Sequence, residues 1–199
     1  MNVAVPNSAE LQRREIVTAA ARLFREIGFQ KTTVADIAQA LGMSPANIYR
    51  FFASKAEINH AVARQAMIEV EDAARAIATG SGSAAERLRA LITTNERMNA
   101  ERYVSERRLH EMVDAALKEN WPIVKEHIDR INALIADIVA CGMRSGEFAP
   151  DDAEHAAKLV HLACTRFCNP RLMVEYATWT ELTSDEMLDF CIKALRAPG

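Results

Sequence analysis

Glycine and proline are scarce in this chain of 199 residues, seven and six respectively, and alternating β-branched runs are nearly absent. Sheets built from hairpins need turn formers and a period of two, so they are excluded. Aromatic residues make up only 6%, while alanine is abundant and half of the residues are hydrophobic, a composition that favours helices. No stretch approaches the roughly 18 uninterrupted apolar residues that span a bilayer. Met1 to Glu10 has neither the basic start nor the apolar run of a secretory signal. Cys141, Cys164, Cys168 and Cys191 lie in apolar helical patterns without a Cys-x-x-Cys pair, so a reducing cytoplasm is the expected compartment. His127, His155 and His161 form no His-x-x-x-His pair, and no glycine-rich phosphate loop occurs. No metal site, cofactor or catalytic constellation is expected, and the chain does not read as an enzyme.

Charge is also unevenly distributed. The net charge is −3, but residues 1–60 carry seven basic against five acidic side chains and the remainder 17 against 22. A mildly basic head on an acidic body is the sign asymmetry of a protein that meets nucleic acid at one end.

The first helix is expected from Ala9 to Ile27, with Ile16, Ala20, Leu23, Phe24 and Ile27 on one face and Gly28 at its end. Thr33 with Asp36 opens a short helix through Leu41; Ser44 caps the next, with Pro45 at its first position and Phe51 and Phe52 closing it. Ser54 with Glu57 opens a long helix to about Ala78, and Gly80-Ser81-Gly82-Ser83 joins it to another. Ser83 with Glu86 caps a helix to about Met98, a second spans Tyr103 to Lys118, and a third follows Pro122. Asp151 with Glu154 caps a helix to Cys168, Asn169-Pro170 breaks it, and a short helix runs from Arg171 to Ala177. Thr183 with Glu186 caps the last helix, with Leu182 and Met187 as a hydrophobic staple. The fold class is therefore all-α, with nine or ten helices.

Residues Thr32 to Lys55 have the form of a helix-turn-helix. Two helices of two turns each cannot bury enough apolar surface alone, so Ile37, Ala38, Leu41, Ile48 and Phe52 must share a face against the first helix. The outer face of the second short helix is small and polar: Pro45, Ala46 and Asn47. Such a face permits close approach to base edges in the major groove. Helix-start amides near Thr33, Ser44 and Ser54 can receive phosphate, and Tyr49, Arg50 and Lys55 supply a hydroxyl and positive charge.

Thr33-x-x-x-Ile37-Ala38, Leu41-Gly42-Met43-Ser44 and Ile48-Tyr49-x-x-Phe52-x-x-Lys55 together resemble the tetracycline-repressor (TetR) family over about residues 10–57. The resemblance implies a helix-turn-helix DNA-binding domain, residues 1–57, and a ligand-binding and dimerisation bundle, residues 58–199. By the same resemblance Thr33, Ser44, Tyr49 and Lys55 fall on backbone-contacting positions, and Pro45, Ala46 and Asn47 on base-reading ones. Phe51 departs from the pattern, since many relatives carry histidine or tyrosine there, and this shifts phosphate contact toward Arg50.

For the body, the resemblance implies an effector pocket and a homodimer made by helices near 153–168 and 184–196. Ala156, Ala157, Val160, Ala163, Cys164 and Phe167, with Met187, Leu188, Cys191, Ile192 and Leu195, offer a close-packing surface for a symmetric four-helix contact, or else complete the monomer core. Met67, Met98, Met112, His110, Trp121, Phe167 and Trp179 can line an adaptable apolar cavity or serve as core, and Arg107 beside His110 can bind an acidic ligand or form a solvated face. The expected function is ligand-responsive repression at a palindromic operator on double-stranded DNA. The alternatives are an activator of the same fold or a helical small-molecule-binding protein.

Overall fold

The computed structural model describes residues 8–105, 107–119, 121–149, 151–176 and 181–196, the side chains of 103–110, 113, 114 and 174 excepted. Among the described residues there are ten helices and no strand, in agreement with the all-α reading: α1 Ser8–Ile27, α2 Val34–Ala40, α3 Pro45–Tyr49, α4 Lys55–Ala78, α5 Ala84–Ser105, α6 Arg107–Lys118, α7 Pro122–Ser145, α8 Ala153–Cys168, α9 Pro170–Glu175 and α10 Ser184–Leu195. They pack as two units.

The first unit, Met1–Ala66 with Glu106–Ile123, has a core drawn from five helices. Ile16, Ala20 and Phe24 recur every four residues along α1 and bury that face against Ile37 and Ala38 of α2, Ile48 of α3, Ile58 and Val62 of α4, and Met112 of α6. Ile27, expected on the same face, is instead exposed: the helix ends there and Gly28, at φ +92°, turns the chain away. Phe29 takes its place, edge-on to Phe24 with ring centroids 6.4 Å apart. The α2–α3 turn pivots on Gly42, at φ +64°, where a side chain would be strained. These packing units do not coincide with a cut at residue 57, because α4 divides after Ala66 and α6 joins α1.

The second unit, Met67–Ser105 with Val124–Gly199, centres on Leu88, Leu91 and Ile92 of α5, Ile131, Ile135 and Ile138 of α7, Val160 and Cys164 of α8, and Leu188 and Ile192 of α10. On α7, Gly142 admits the buried Phe148, which follows the helix; a Cβ built there would collide with the ring and lie 2.8 Å from the Ala84 Cβ.

Three local expectations are corrected. α5 runs to Ser105 rather than Met98, because no glycine, proline or cap interrupts it; Asn99 Nδ2 donates to Asn95 Oδ1 at 2.6 Å along the helix and to the Cys168 carbonyl at 2.8 Å. The cap of α8 is Asp152, whose carboxylate accepts from the amides of Glu154 and His155, while Asp151 bonds only the Asp152 amide. α9 begins at Pro170 because the Asn169 side chain, just past α8, accepts from the amides of Arg171 and Leu172.

Candidate nucleic-acid interface

The geometry of α3 follows from its brevity. A helix of five residues has almost no stability of its own. Ile48 and Phe52, both fully buried, anchor it, and each contributes about 1.5–3 kcal/mol by burial. At the other end Ser44 is the N-cap, its Oγ accepting from the Asn47 amide at 3.3 Å, and Pro45 occupies the first turn. With Ile48 turned inward, Pro45, Ala46, Tyr49 and Arg50 are exposed and Asn47 is half-buried. Arg50 Nη1 donates to Asn47 Oδ1 at 3.4 Å, which draws the cation toward the small polar face.

The three helix starts differ electrostatically. At α2 the Thr33 hydroxyl donates to the Asp36 carboxylate at 2.8 Å and accepts from the Asp36 amide at 3.1 Å, and the Thr33 amide donates to the same carboxylate at 2.7 Å. These bonds, the Thr33 amide foremost, hold the Asp36 carboxyl below the usual carboxylate range, with Lys55 adding to the effect. At α4 the Glu57 carboxylate accepts from the Ala53 amide at 2.7 Å and Ser54 Oγ accepts from the Glu57 amide. The expectation that all three ends stand open to an anion is therefore corrected: two already carry a carboxylate. Of these three, α3 alone has no acidic residue in its first turn, and the Ser44 hydroxyl keeps its own proton to donate.

Lys55 is half-buried, and Nζ donates to the Gln30 carbonyl at 3.0 Å, tying the start of α4 to the loop after α1. Burial pushes its amine below the ordinary lysine range, offset in part by Asp36. An ammonium has three donors, so two remain. Sequence reasoning missed Arg13, whose Nη1 donates to the Phe51 carbonyl and whose guanidinium lies 4.1 Å from the Phe52 ring centroid. Its place on the outer face of α1 resembles that of any solvated arginine, so only packing reveals it.

The eight effector candidates are not gathered in one unit. Met112 is fully buried in the core of the first unit, and Trp121 packs against that core with its ring 4.3 Å from His60. Met67 and Phe167 are buried in the second unit, where Met98 packs on the core. Trp179 and the side chains of Arg107 and His110 lie outside the described residues. The second unit holds polar groups that sequence reasoning either passed over, as with Glu71, or weighed only as metal ligands, as with His127 and His161. Glu71, buried on α4, receives His127 Nδ1 at 2.9 Å and has Arg130 at 3.6 Å. His161 Nδ1 meets Asn132 Oδ1 at 2.8 Å. Each of these three sits on an apolar stripe, Glu71 between Met67 and Ala74, His127 between Val124 and Ile131, His161 between Ala157 and Cys164. That placement is the signal that could have found them.

Of the two readings open for the residues on α8 and α10, the monomer core holds for most. Ala156, Ala157, Val160, Cys164, Leu188, Cys191 and Ile192 fill the monomer's own core. The same helices expose Leu159, Leu162 and Phe190, the last two 71% exposed. Burial pushes the Cys168 thiol up to about 12, and a bond to Cys191 together with burial raises Cys164. Among the described residues no group of His, Cys, Asp or Glu side chains is placed to hold a metal, and no helix is long and apolar enough to cross a membrane.

The sequence profile described as bacterial regulatory proteins, tetR family, matches residues 16–62, the region of the capped helix pair. The profile described as tetracyclin repressor-like, C-terminal domain, matches residues 84–188, more than half of the chain. The chain belongs to the TetR family. It is 27% identical over 151 residues to the HTH-type transcriptional repressor KstR2 of Rhodococcus jostii (strain RHA1), covering 75% of this chain and 74% of that protein. A TetR/AcrR regulator from Thermobifida fusca YX-ER1 superposes with a TM-score of 0.64 at 25% identity, over 92% of this chain and 96% of that one. SmeT, the repressor of the Stenotrophomonas maltophilia efflux pump SmeDEF, shares the fold with a TM-score of 0.69 at 18% identity, over 94% of this chain and 91% of that one. As a TetR protein the chain is a DNA-binding transcriptional regulator and not an enzyme.

Proposed function

We propose that this TetR protein is a ligand-responsive repressor, acting in the cytoplasm as a homodimer on a palindromic operator. The observation that carries the DNA half is the small polar face of α3, with Pro45 and Ala46 exposed and Asn47 half-buried beside them, held outward by the fully buried Ile48. Small side chains let that face approach base edges, where Asn47 can both donate and accept. Ser44, Tyr49, Arg50 and Lys55 grip phosphate around it, and Thr33 joins them only by giving up its bond to Asp36. Residues 1–57 would thus carry recognition and residues 58–199 effector binding and dimerisation. Repression is supported by the name of KstR2.

The dimer reading draws on Leu159 and Leu162, one turn apart on α8, and on Phe190 of α10, which leave apolar surface in water. A symmetric contact would cover them and set two α3 helices in successive major grooves, about 34 Å apart. An effector in the second unit relieves repression only by binding more tightly to the form that fits DNA poorly.

The test is affinity capture of fragmented genomic DNA from the native host by the full-length protein, followed by footprinting. The expected result is a short protected site with two-fold symmetry, usually beside a gene. Enrichment of no fragment would overturn the reading. In parallel, Phe190→Glu should convert a dimer to a monomer in sedimentation; a dimer that persists removes that face from the interface.

A further inference from the structure

α3 is held at its far end by a residue of another helix. Beyond Tyr49 the chain keeps turning, with the amides of Phe51 and Phe52 both donating to the Ile48 carbonyl, at 2.9 and 3.1 Å. A helix end leaves its last carbonyls without intrahelical partners, and the partial negative charge there favours a cation. Arg13 supplies it. From α1, 38 residues earlier, its Nη1 donates to the Phe51 carbonyl. The same guanidinium lies 4.1 Å from the centroid of the Phe52 ring, the buried aromatic that anchors α3. One planar group therefore holds both the backbone just past the reading helix and its anchor. A lysine can replace the hydrogen bond but not the planar stacking.

We propose that Arg13 is a positioning residue that fixes the angle at which α3 is presented to DNA, so that it governs base discrimination rather than general affinity. The inference rests on the reading of α3 as the helix that enters the groove. Arg13 itself is exposed, and the core around α3 is complete without it. Its loss therefore leaves the unit folded but lets a helix of five residues rock on Ile48 and Phe52. A small tilt moves Asn47 out of reach of a base edge, whereas a phosphate contact from the long, exposed side chain of Arg50 tolerates it and Lys55, on α4, does not move with α3.

The test uses the full-length protein and the duplex that it selects from a library with a randomised centre. Affinity for that duplex and for a shuffled duplex of equal composition is measured over a salt series for the wild type, Arg13→Ala and Arg13→Lys. Arg13→Ala should lose about tenfold on the selected duplex and less than about threefold on the shuffled one, with its salt slope unchanged. Arg13→Lys should recover part of the discrimination. Equal losses on both duplexes, or a salt slope shallower by about one, would make Arg13 a phosphate contact and overturn the proposal. If the wild type selects a sequence and Arg13→Ala discriminates as well, the positioning role alone fails. If the wild type selects no sequence, the reading of α3 fails and takes this role with it.

Discussion

The two units use polar side chains in opposite ways. Among the described residues of the first, the buried set is apolar apart from Thr32, whose hydroxyl donates to the Gly28 carbonyl at 2.9 Å, and the polar face of α3 stands outside. In the second, Glu71, Asn95 and Ser184 are buried, and Ser184 Oγ bonds Glu96 at 2.5 Å. An exposed side chain such as Tyr49 can change without disturbing the fold beneath it, so the surface of α3 and the stability of the first unit are separable. A buried carboxylate must keep its partners or unbalance the core, so chemistry and stability are tied together in the second.

Substitutions can break that contrast, and the largest effect is expected at Phe52. Phe52→Ala removes the anchor of α3 and should cost about 3–5 kcal/mol in denaturant unfolding, with sequence-specific DNA binding lost. Next comes Glu71→Gln, which keeps the shape but not the charge facing His127 and Arg130. A loss of about 1–3 kcal/mol is expected, with DNA affinity per folded molecule unchanged; a neutral result would mean that Glu71 matters little to the second core. Ser44→Ala removes the cap of α3 and should cost about 1 kcal/mol, while weakening binding to all duplexes alike.

The smallest effect concerns acid. Burial, followed by the neighbouring His127, holds the His161 imidazole below the ordinary histidine value of 6.5. The unfolded chain thus takes up the proton first. The stability that His161 contributes is complete above pH 6.5 and falls as the pH drops toward its lowered folded value. Unfolding measured from pH 8 to 5 should lose stability faster in the wild type than in His161→Gln; parallel curves would contradict this.

The contrast also explains what could be read before the structure. The boxes of Thr33 with Asp36 and of Thr183 with Glu186 were legible because a cap is a local bond between residues three apart, and both are present. The composition and the periodicity of apolar residues disclosed the helices. The exposure of Pro45, Ala46 and Tyr49 followed from the same three-residue logic around Ile48. Features made by distant residues were hidden. Nothing local tells that Met112 lies in the core of the first unit, or that Arg13 reaches the Phe51 carbonyl. The buried face of α8 was identified, but whether the monomer or a second copy covers it stayed open, because periodicity shows that a face is apolar without showing what covers it. Leu159 and Leu162, the residues that break the amphipathic pattern, carried that information.

The central claim is that Asn47 and its small neighbours read bases. The direct test is the sequence preference of Asn47→Ala beside that of the wild type, each selected from the same randomised duplex library at one salt concentration. The account predicts that preference relaxes at one position in each half-site, with the rest of the site and the salt slope retained. An identical preference, with equal affinity, would contradict it.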